Sequence, residues 1–177
     1  MKMLEKLFAR NRVYTGNAVH FSVDEIILPD GKKATREYME HPGAVAVIPF
    51  VDDKNIILVR QYRYPVHEIT WELPAGKLDK GEKIAVCVKR ELEEETGYTA
   101  SRIRKLISFW PTTAFSNEVI HIFSAHGLKE RQKCPDEDEF IDHKIVPLAK
   151  ALAWVKTGRI RDSKSIIGLL YCARYSL

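Results

Sequence analysis

The chain has 177 residues, a net charge of +4, 45% hydrophobic residues and 29% charged residues. This is the composition of an ordinary globular protein, and the length is sufficient for one domain with its own core. Because it has no apolar run of 18 residues and no basic block, the sequence argues against a membrane-spanning protein and against an extended nucleic-acid-binding surface.

The N-terminal residues lack the apolar core of a secretory signal, which argues against secretion. The cysteines support the same interpretation. Cys87, Cys134 and Cys172 are odd in number and widely spaced, which is untypical of a disulfide framework or a zinc site. We therefore expect reduced thiols in a cytoplasmic protein, with Cys87 packed rather than reactive. We expect one domain over residues 1–177.

In chain order, the pattern of apolar and polar residues predicts strands, one central helix, further strands and two closing helices. After Pro147 a helix should run to about residue 155, and Asp162 is a good N-cap for a last helix to about residue 175. Residues 127–138 are polar and should be irregular. This order predicts an α+β layered fold. The predicted strands lie within residues 11–29 and at 33–40, 44–51, 56–63, 102–110, 119–125 and 139–146.

Residues 76–98 organise the rest of the chain. Four glutamates lie within residues 91–95, on a predicted helix. Glu91, Glu94 and Glu95 fall within about a quarter-turn of one another at about 100° per residue. Such like charges weaken a helix unless a cation offsets them, and carboxylate oxygens favour Mg²⁺ or Mn²⁺. An adjacent apolar stripe should face the core, and its members are Ile84, Ala85, Val88 and Leu92.

The fixed positions of this segment read G-x5-E-x7-R-E-L-x-E-E-x-G, a pattern expected by chance on the order of once in 10⁸ starting positions. The segment resembles the signature box of the Nudix hydrolases, and the resemblance extends over essentially the whole chain. It implies the Nudix α/β/α sandwich, with a mixed central sheet, the box helix and two C-terminal helices. Arg90 should pair with Glu82 or a neighbouring carboxylate. The residues expected to support the box are Gly76, Glu82, Arg90 and Gly97.

The flanking residues narrow the family. The runs at residues 36–38 (REY), 60–65 (RQYRYP) and 71–76 (WELPAG) resemble the ADP-ribose pyrophosphatase branch, whose members hydrolyse nucleoside diphosphate sugars. The resemblance implies a homodimer, with residues 1–40 supplying N-terminal strands to the interface.

The loop after the box departs from the pattern of enzymes that favour ADP-ribose. Such enzymes commonly carry a proline in a Ser-Pro-Gly-like run, whereas here Pro111 stands about two positions away and Thr113 is near the usual place. ADP-ribose, which would give AMP and ribose 5-phosphate, therefore has an alternative in GDP-mannose or a broad range of nucleoside diphosphate sugars.

The chemistry of diphosphate hydrolysis suggests roles for the carboxylates. Metal ions that bridge the oxygens of a diphosphate offset its charge and lower the pKa of a bound water. We expect Glu91 and Glu95, one helical turn apart, to bind the metal, with Glu94 as a third ligand or acting through water. The family resemblance adds the backbone carbonyl of Ala75, which Gly76 would leave accessible.

A catalytic base should approach from another element. The resemblance implies a glutamate from the loop just before the last strand, where Glu137 and Glu139 both fit and stay open as alternatives; Glu94 is a further catalytic candidate. Arg63 should contact the phosphate or the base of the substrate, because a guanidinium can bind two oxygens at once. Arg36 is a second candidate for substrate binding.

Two other functions stay open. A non-catalytic module that senses nucleotide sugars could use the same fold, but it would not need every metal ligand, so the intact acidic trio favours an enzyme. A nucleoside triphosphate hydrolase is the second alternative, and the long region before the box argues against it.

Overall fold

The computed structural model describes residues 3–17, 19–131 and 140–175. These residues form two compact units. Unit 1 contains the described residues up to 42 together with residues 110–119, and unit 2 contains residues 43–109 and those from 120 onward. None of the described helices combines the length and the apolar character that a membrane crossing requires.

The strands of unit 1 are β1 (Lys6–Ala9), β2 (Arg12–Thr15), β3 (His20–Ile27) and β4 (Lys33–Glu40). They form an antiparallel sheet in which β4 pairs with the whole of β3, while the shorter β1 and β2 pair with opposite ends of β3. Side chains alternate along β3, so that Ser22, Asp24 and Ile26 are buried, as expected for a strand that covers a core with one face.

Unit 2 holds two sheets, of which one is mixed and one antiparallel, and three helices. Its elements are β5 (Ala44–Pro49), β6 (Asn55–Arg63), β7 (Glu68–Glu72), β8 (Ala75–Lys77), α1 (Ile84–Thr96), β9 (Tyr98–Phe109), β10 (Ile120–Glu130), β11 (Asp142–Pro147), α2 (Leu148–Lys156) and α3 (Ser163–Tyr175). One sheet has the order β8-β5-β10-β9, with β5 and β10 parallel and the other pairs antiparallel. The second sheet, β11-β6-β7, is antiparallel.

Strand β5 separates two hydrophobic clusters. All six of its residues are buried, and their alternation sends Val45 and Val47 into a cluster with Val88 and Leu92 of α1. The intervening residues enter a second cluster that includes Leu169 of α3. A strand buried on both faces has a continuous apolar sequence, which explains why residues 44–49 are apolar throughout.

The predicted α+β class, the mixed sheet, the box helix and the two C-terminal helices are confirmed, but several boundaries were wrong. Strand β10 continues to Glu130, through residues predicted to be irregular, and β9 begins directly after the box helix. Strand β11 begins at Asp142 rather than at residue 139. Ala85, predicted to face the core, is exposed, whereas Cys87 is buried as predicted.

The packing around β5 predicts where unit 2 is most sensitive to truncation. Ile122→Ala, near the start of β10, removes a fully buried side chain and should lower the free energy of unfolding by about 2–5 kcal/mol. The matched control is Ile69→Ala on β7, where the side chain is 64% exposed and the loss should be about 0.5 kcal/mol or less. Urea denaturation of both variants measures the difference, and equal losses would contradict this account of the core.

Candidate active site

The carboxylate of Glu91 lies directly over the backbone of Gly76. A Cβ added at residue 76 would overlap both carboxylate oxygens of Glu91, so the glycine leaves space that this carboxylate occupies. Glu91 is 8% exposed. A larger side chain at residue 76 would therefore force the carboxylate of Glu91 to move.

Glu95, one turn further along α1, reaches the neighbouring residue of the same strand. Its Oε2 accepts a hydrogen bond of 2.9 Å from the backbone N–H of Ala75, and its side chain is nearly inaccessible, at 2% exposed. Two buried carboxylates thus meet the two-residue segment formed by Ala75 and Gly76. Burial of a charged group is costly unless the charge is compensated, so the arrangement calls for positive charge nearby.

Arg90 supplies positive charge from the same helix. Its Nε and Nη2 each donate to Glu82 at 3.0 Å, which joins the loop before α1 to the helix. Its Nη1 donates to Glu91 at 2.7 Å and to Glu94 at 2.9 Å. The hydrogen bonds from Arg90 hold the pKa of Glu82 at about 2, and the bond to Glu82 is the largest cause that raises the pKa of Arg90.

The end of the box helix is set by Gly97. This residue adopts a left-handed conformation with φ of 75°, and its N–H donates to the carbonyl of Glu93 at 2.8 Å. Glycine is favoured at such a C-terminal position because it lacks the Cβ that strains the left-handed region. Strand β9 can therefore begin at the very next residue, Tyr98.

The donor set of this site suits a hard divalent cation. Glu91, Glu94 and Glu95 offer carboxylate oxygens, the ligands that such a cation prefers. Within residues 3–17, 19–131 and 140–175, no group of three His, Cys, Asp or Glu side chains is already arranged around a cation position. Arg90 holds one oxygen of Glu91 and one of Glu94, so a cation that binds to these two oxygens has to displace Arg90 from them.

A second charged cluster lies just before the box and was missed by the sequence analysis. Glu72, 2% exposed, accepts hydrogen bonds from Arg63 Nε at 2.8 Å and Nη2 at 2.7 Å, and its other cationic partner is Lys164. Burial alone would raise the pKa of Glu72, but Arg63 and Lys164 outweigh it and lower the pKa to about 2. The sequence did contain a signal for this ion pair: a glutamate between the apolar residues Trp71 and Leu73 is expected to be buried, and a buried charge needs a partner.

The guanidinium of Arg63 is therefore already engaged. Its Nε and Nη2, the pair of donors expected to bind two oxygens of a substrate, donate to the carboxylate of Glu72 instead. The hydrogen bonds to Glu72 raise the pKa of Arg63, and the negative charge of Glu95 adds to that effect. Arg63 thus stays charged and lies within electrostatic reach of one of the box carboxylates.

Three further residues were predicted from the sequence for substrate binding or catalysis. Arg36 belongs to unit 1 and pairs there with Glu5. Glu137 and Glu139, the candidates for the catalytic base, lie outside the described residues.

Comparison with known proteins agrees with this geometry. The family model of the NUDIX domain matches residues 40–167. The chain belongs to the Nudix family. The family predicted from the box is thereby confirmed, and with it an enzyme of the pyrophosphohydrolase class, for which a divalent cation is the general requirement.

Two relatives cover nearly the whole Nudix chain. A methanol dehydrogenase activator from Bacillus methanolicus is 43% identical over 94% of this chain and 91% of its own length. An ADP-ribose pyrophosphatase from Bacillus subtilis (strain 168) is 40% identical over 97% of this chain and 94% of its own length. A crystal structure of an ADP compounds hydrolase superposes with a TM-score of 0.85 at 19% identity, covering 99% of this chain and 96% of the other, and shows that the two share a fold.

The lowered pKa of Glu72 leads to a prediction about stability and pH. Because its pKa falls from an ordinary 4.5 to about 2 on folding, the ionised carboxylate stabilises the fold above about pH 4.5, and this contribution is lost as the pH falls through about 2. Glu72→Gln should therefore cost about 3 kcal/mol at pH 7, and the difference from wild type should shrink steadily between pH 5 and pH 2. Urea denaturation at several pH values measures it, with Glu130→Gln as the exposed control; a cost independent of pH would contradict the assignment.

Proposed function

We propose that this Nudix protein hydrolyses the pyrophosphate bond of a nucleoside diphosphate sugar, with ADP-ribose favoured and AMP and ribose 5-phosphate as products. The observation that carries the proposal is the convergence of two buried carboxylates, Glu91 and Glu95, on the backbone at Ala75 and Gly76. The similarity to the ADP-ribose pyrophosphatase of Bacillus subtilis supports the same substrate.

We propose Mg²⁺, with Mn²⁺ as the alternative, as the cation. Glu91, Glu95 and the carbonyl of Ala75 would hold it, and Glu94 would do so directly or through water. A bound cation would offset the charge of the diphosphate and lower the pKa of a bound water. The chain itself keeps the carboxylates in place, because Arg90 holds Glu91 and Glu94 while the N–H of Ala75 holds Glu95.

Two further groups complete the proposal. Glu137 or Glu139 would accept the proton of the attacking water, since a carboxylate is a suitable general base when placed beside the water. Arg63 would contact the diphosphate, a proposal supported by its fixed charge and by the influence of Glu95 upon it. Arg36 is the weaker proposal for substrate binding.

A second candidate function is the activation of a dehydrogenase. It is favoured by the similarity to the activator from Bacillus methanolicus, which matches that to the pyrophosphatase in extent. An activator that acts by hydrolysing a nucleotide needs the box carboxylates, whereas one that acts by contact alone does not. Adding wild-type protein or a variant without a box glutamate to a methanol dehydrogenase assay separates the two.

The assignment of Glu95 as a ligand predicts the effect of an isosteric change. Glu95→Gln keeps the shape of the side chain but removes the charge that holds the cation, so Mg²⁺-dependent release of AMP from ADP-ribose should fall by about 100-fold or more. The control is Glu93→Gln on the same turn, which should keep activity within about threefold. Circular dichroism should show the fold intact in both, and unchanged turnover in Glu95→Gln would remove the ligand assignment.

A panel of substrates decides which nucleotide is preferred, a question that the sequence of the loop at Pro111 leaves open. ADP-ribose, GDP-mannose, UDP-glucose and nucleoside triphosphates are compared with products resolved by chromatography. Preferred cleavage of GDP-mannose would replace ADP-ribose in the proposal. Binding of a nucleotide sugar without cleavage of any would leave a sensing module.

We also propose that the protein is one domain that forms a homodimer through the N-terminal strands within residues 1–40. Several large apolar side chains on β1 and β2 are more than half exposed: Leu7, Phe8, Val13 and Tyr14. Every residue of both strands is exposed. A cluster of this kind is typical of a surface that a partner covers, and a second copy of the chain is the partner that the family resemblance favours.

The proposed dimer interface can be tested by introducing charged side chains into the N-terminal strands. Introducing Leu7→Asp together with Val13→Asp should convert the dimer to a monomer, because burying two carboxylates in an apolar interface is unfavourable. Ile145→Asp, at an exposed position of β11, is the control and should leave the dimer intact. Light scattering coupled to size-exclusion chromatography measures the mass, and a wild-type protein that elutes as a monomer would overturn the proposal.

We further propose a cytoplasmic location. The described cysteines, Cys87 and Cys172, are free and buried, and proteins of reducing compartments keep such thiols unpaired.

A further inference from the structure

A cleft of about 480 Å³ lies beside the second charged cluster in unit 2. Its walls combine a few apolar groups, such as Pro65 and Val66, with charged side chains. The charged residues that line it are Arg63, Glu68, Glu72, Arg161, Asp162 and Lys164. Arg63, the proposed substrate contact, thus shares one cleft with Lys164, a residue to which no role has so far been assigned.

Glu72 is the centre of the cluster. Besides the two hydrogen bonds from Arg63, it accepts one of 2.6 Å from the hydroxyl of Thr70 and one from the ammonium group of Lys164. A carboxylate that accepts four hydrogen bonds has its position fixed, and charge-assisted bonds of this kind are the strong ones. The orientation of Arg63 therefore depends on how Glu72 is held.

Lys164 ties Glu72 to the start of helix α3. It is 8% exposed, and its Nζ lies 3.0 Å from Asp162. Asp162 in turn accepts hydrogen bonds from the N–H and the hydroxyl of Ser165 at 3.0 and 2.5 Å, and Ser165 accepts one of 2.7 Å from the N–H of Leu73. Cations and anions thus alternate in the order Arg63, Glu72, Lys164 and Asp162. Through Ser165 the contacts lead back to Leu73, the residue after Glu72.

This arrangement limits what Arg63 can offer to a substrate. Its Nε and Nη2 are used by Glu72, and among the described residues no hydrogen bond is made by its Nη1. Its backbone is restricted as well, because β6 ends at Arg63 and a short 3₁₀ turn at Tyr64–Val66, with a proline as its second residue, follows directly. One donor edge of a fixed guanidinium remains for an incoming anion.

We propose that Lys164 is a positioning residue for substrate binding: through Glu72 it fixes Arg63 so that Nη1 meets an oxygen of the substrate diphosphate. This inference rests on the proposed function. The competing explanation is that the four charges only stabilise unit 2. The two explanations differ because a positioning role acts through Arg63, whereas a purely stabilising role is independent of it.

The test is a double-mutant cycle with Lys164→Met and Arg63→Met, read as KM and kcat for ADP-ribose. Lys164→Met alone should raise KM about tenfold with kcat within about twofold, since one charge-assisted contact is weakened. In the Arg63→Met background the same change should have almost no further effect, because interacting residues are non-additive. Lys164→Arg, which keeps the charge, should recover part of the loss, and Lys156→Met at an exposed position on α2 is the control.

A separate variant covers the case in which Lys164→Met does not fold. Thr70→Val keeps shape and charge but removes one hydrogen bond to Glu72, and should raise KM about threefold only when Arg63 is present. A KM increase that persists in the Arg63→Met background, or a loss of stability with KM unchanged, would overturn the proposal.

A measurement that needs no activity separates this inference from the proposed function. The Nε–H of Arg63 gives its own NMR signal, which Arg63→Met identifies by its loss. Solvent exchange of that proton should be slow in wild type and at least about tenfold faster in Thr70→Val and Lys164→Met. Unchanged exchange would refute the positioning role even if ADP-ribose is hydrolysed. Faster exchange in a protein that cleaves no nucleotide sugar would instead uphold the link to Arg63 and remove the proposed function.

Discussion

Charge balance around Arg90 is the constraint on which the candidate site depends. Like charges on one face of a helix repel, and Glu91 and Glu94 lie together at its last turns. One guanidinium holds both and also reaches Glu82 in the preceding loop. The same cation therefore offsets the carboxylates and fixes the loop. A divalent cation would compete with Arg90 for these oxygens, so binding it redistributes hydrogen bonds that already exist.

The short stretch from Glu72 to Gly76 joins two helices. Leu73 donates to Ser165 at the start of α3, and Ala75 donates to Glu95 on α1. Two charged networks thus share one stretch of backbone. The network around Arg90 on α1 is rich in carboxylates, whereas the network around Glu72 alternates cations and anions. These two hydrogen bonds anchor the stretch to both helices.

Some of this structure could be predicted from sequence because it is local. The carboxylates of the box and the glycines around it lie within one segment, and their spacing fixes which of them share a helix face. The pair formed by Glu72 and Lys164 could not be predicted in this way, since its members are far apart in the chain. Ala85 was misplaced because hydropathy does not show how far along a helix its apolar side is covered: Ala85 is exposed in the first turn of α1, whereas Leu92, on the same side two turns later, is buried. Gly127 suggested a loop, yet it lies inside β10, with φ of 64° and the Ser101 side chain where a Cβ would be.

The parallel pairing of β5 with β10 also bears on how the molecule comes into being. Partners such as Ala44 and Ile120 can meet only after the whole box segment has been closed into a loop, and the entropy of that closure is lost before native contacts reward it. During synthesis the glutamates of α1 emerge from the ribosome before strand β10 and helix α3, which complete the core of unit 2. Because an isolated helix of 13 residues with repelling carboxylates is marginal in water, the acidic segment should become stably helical only when these later elements pack against it.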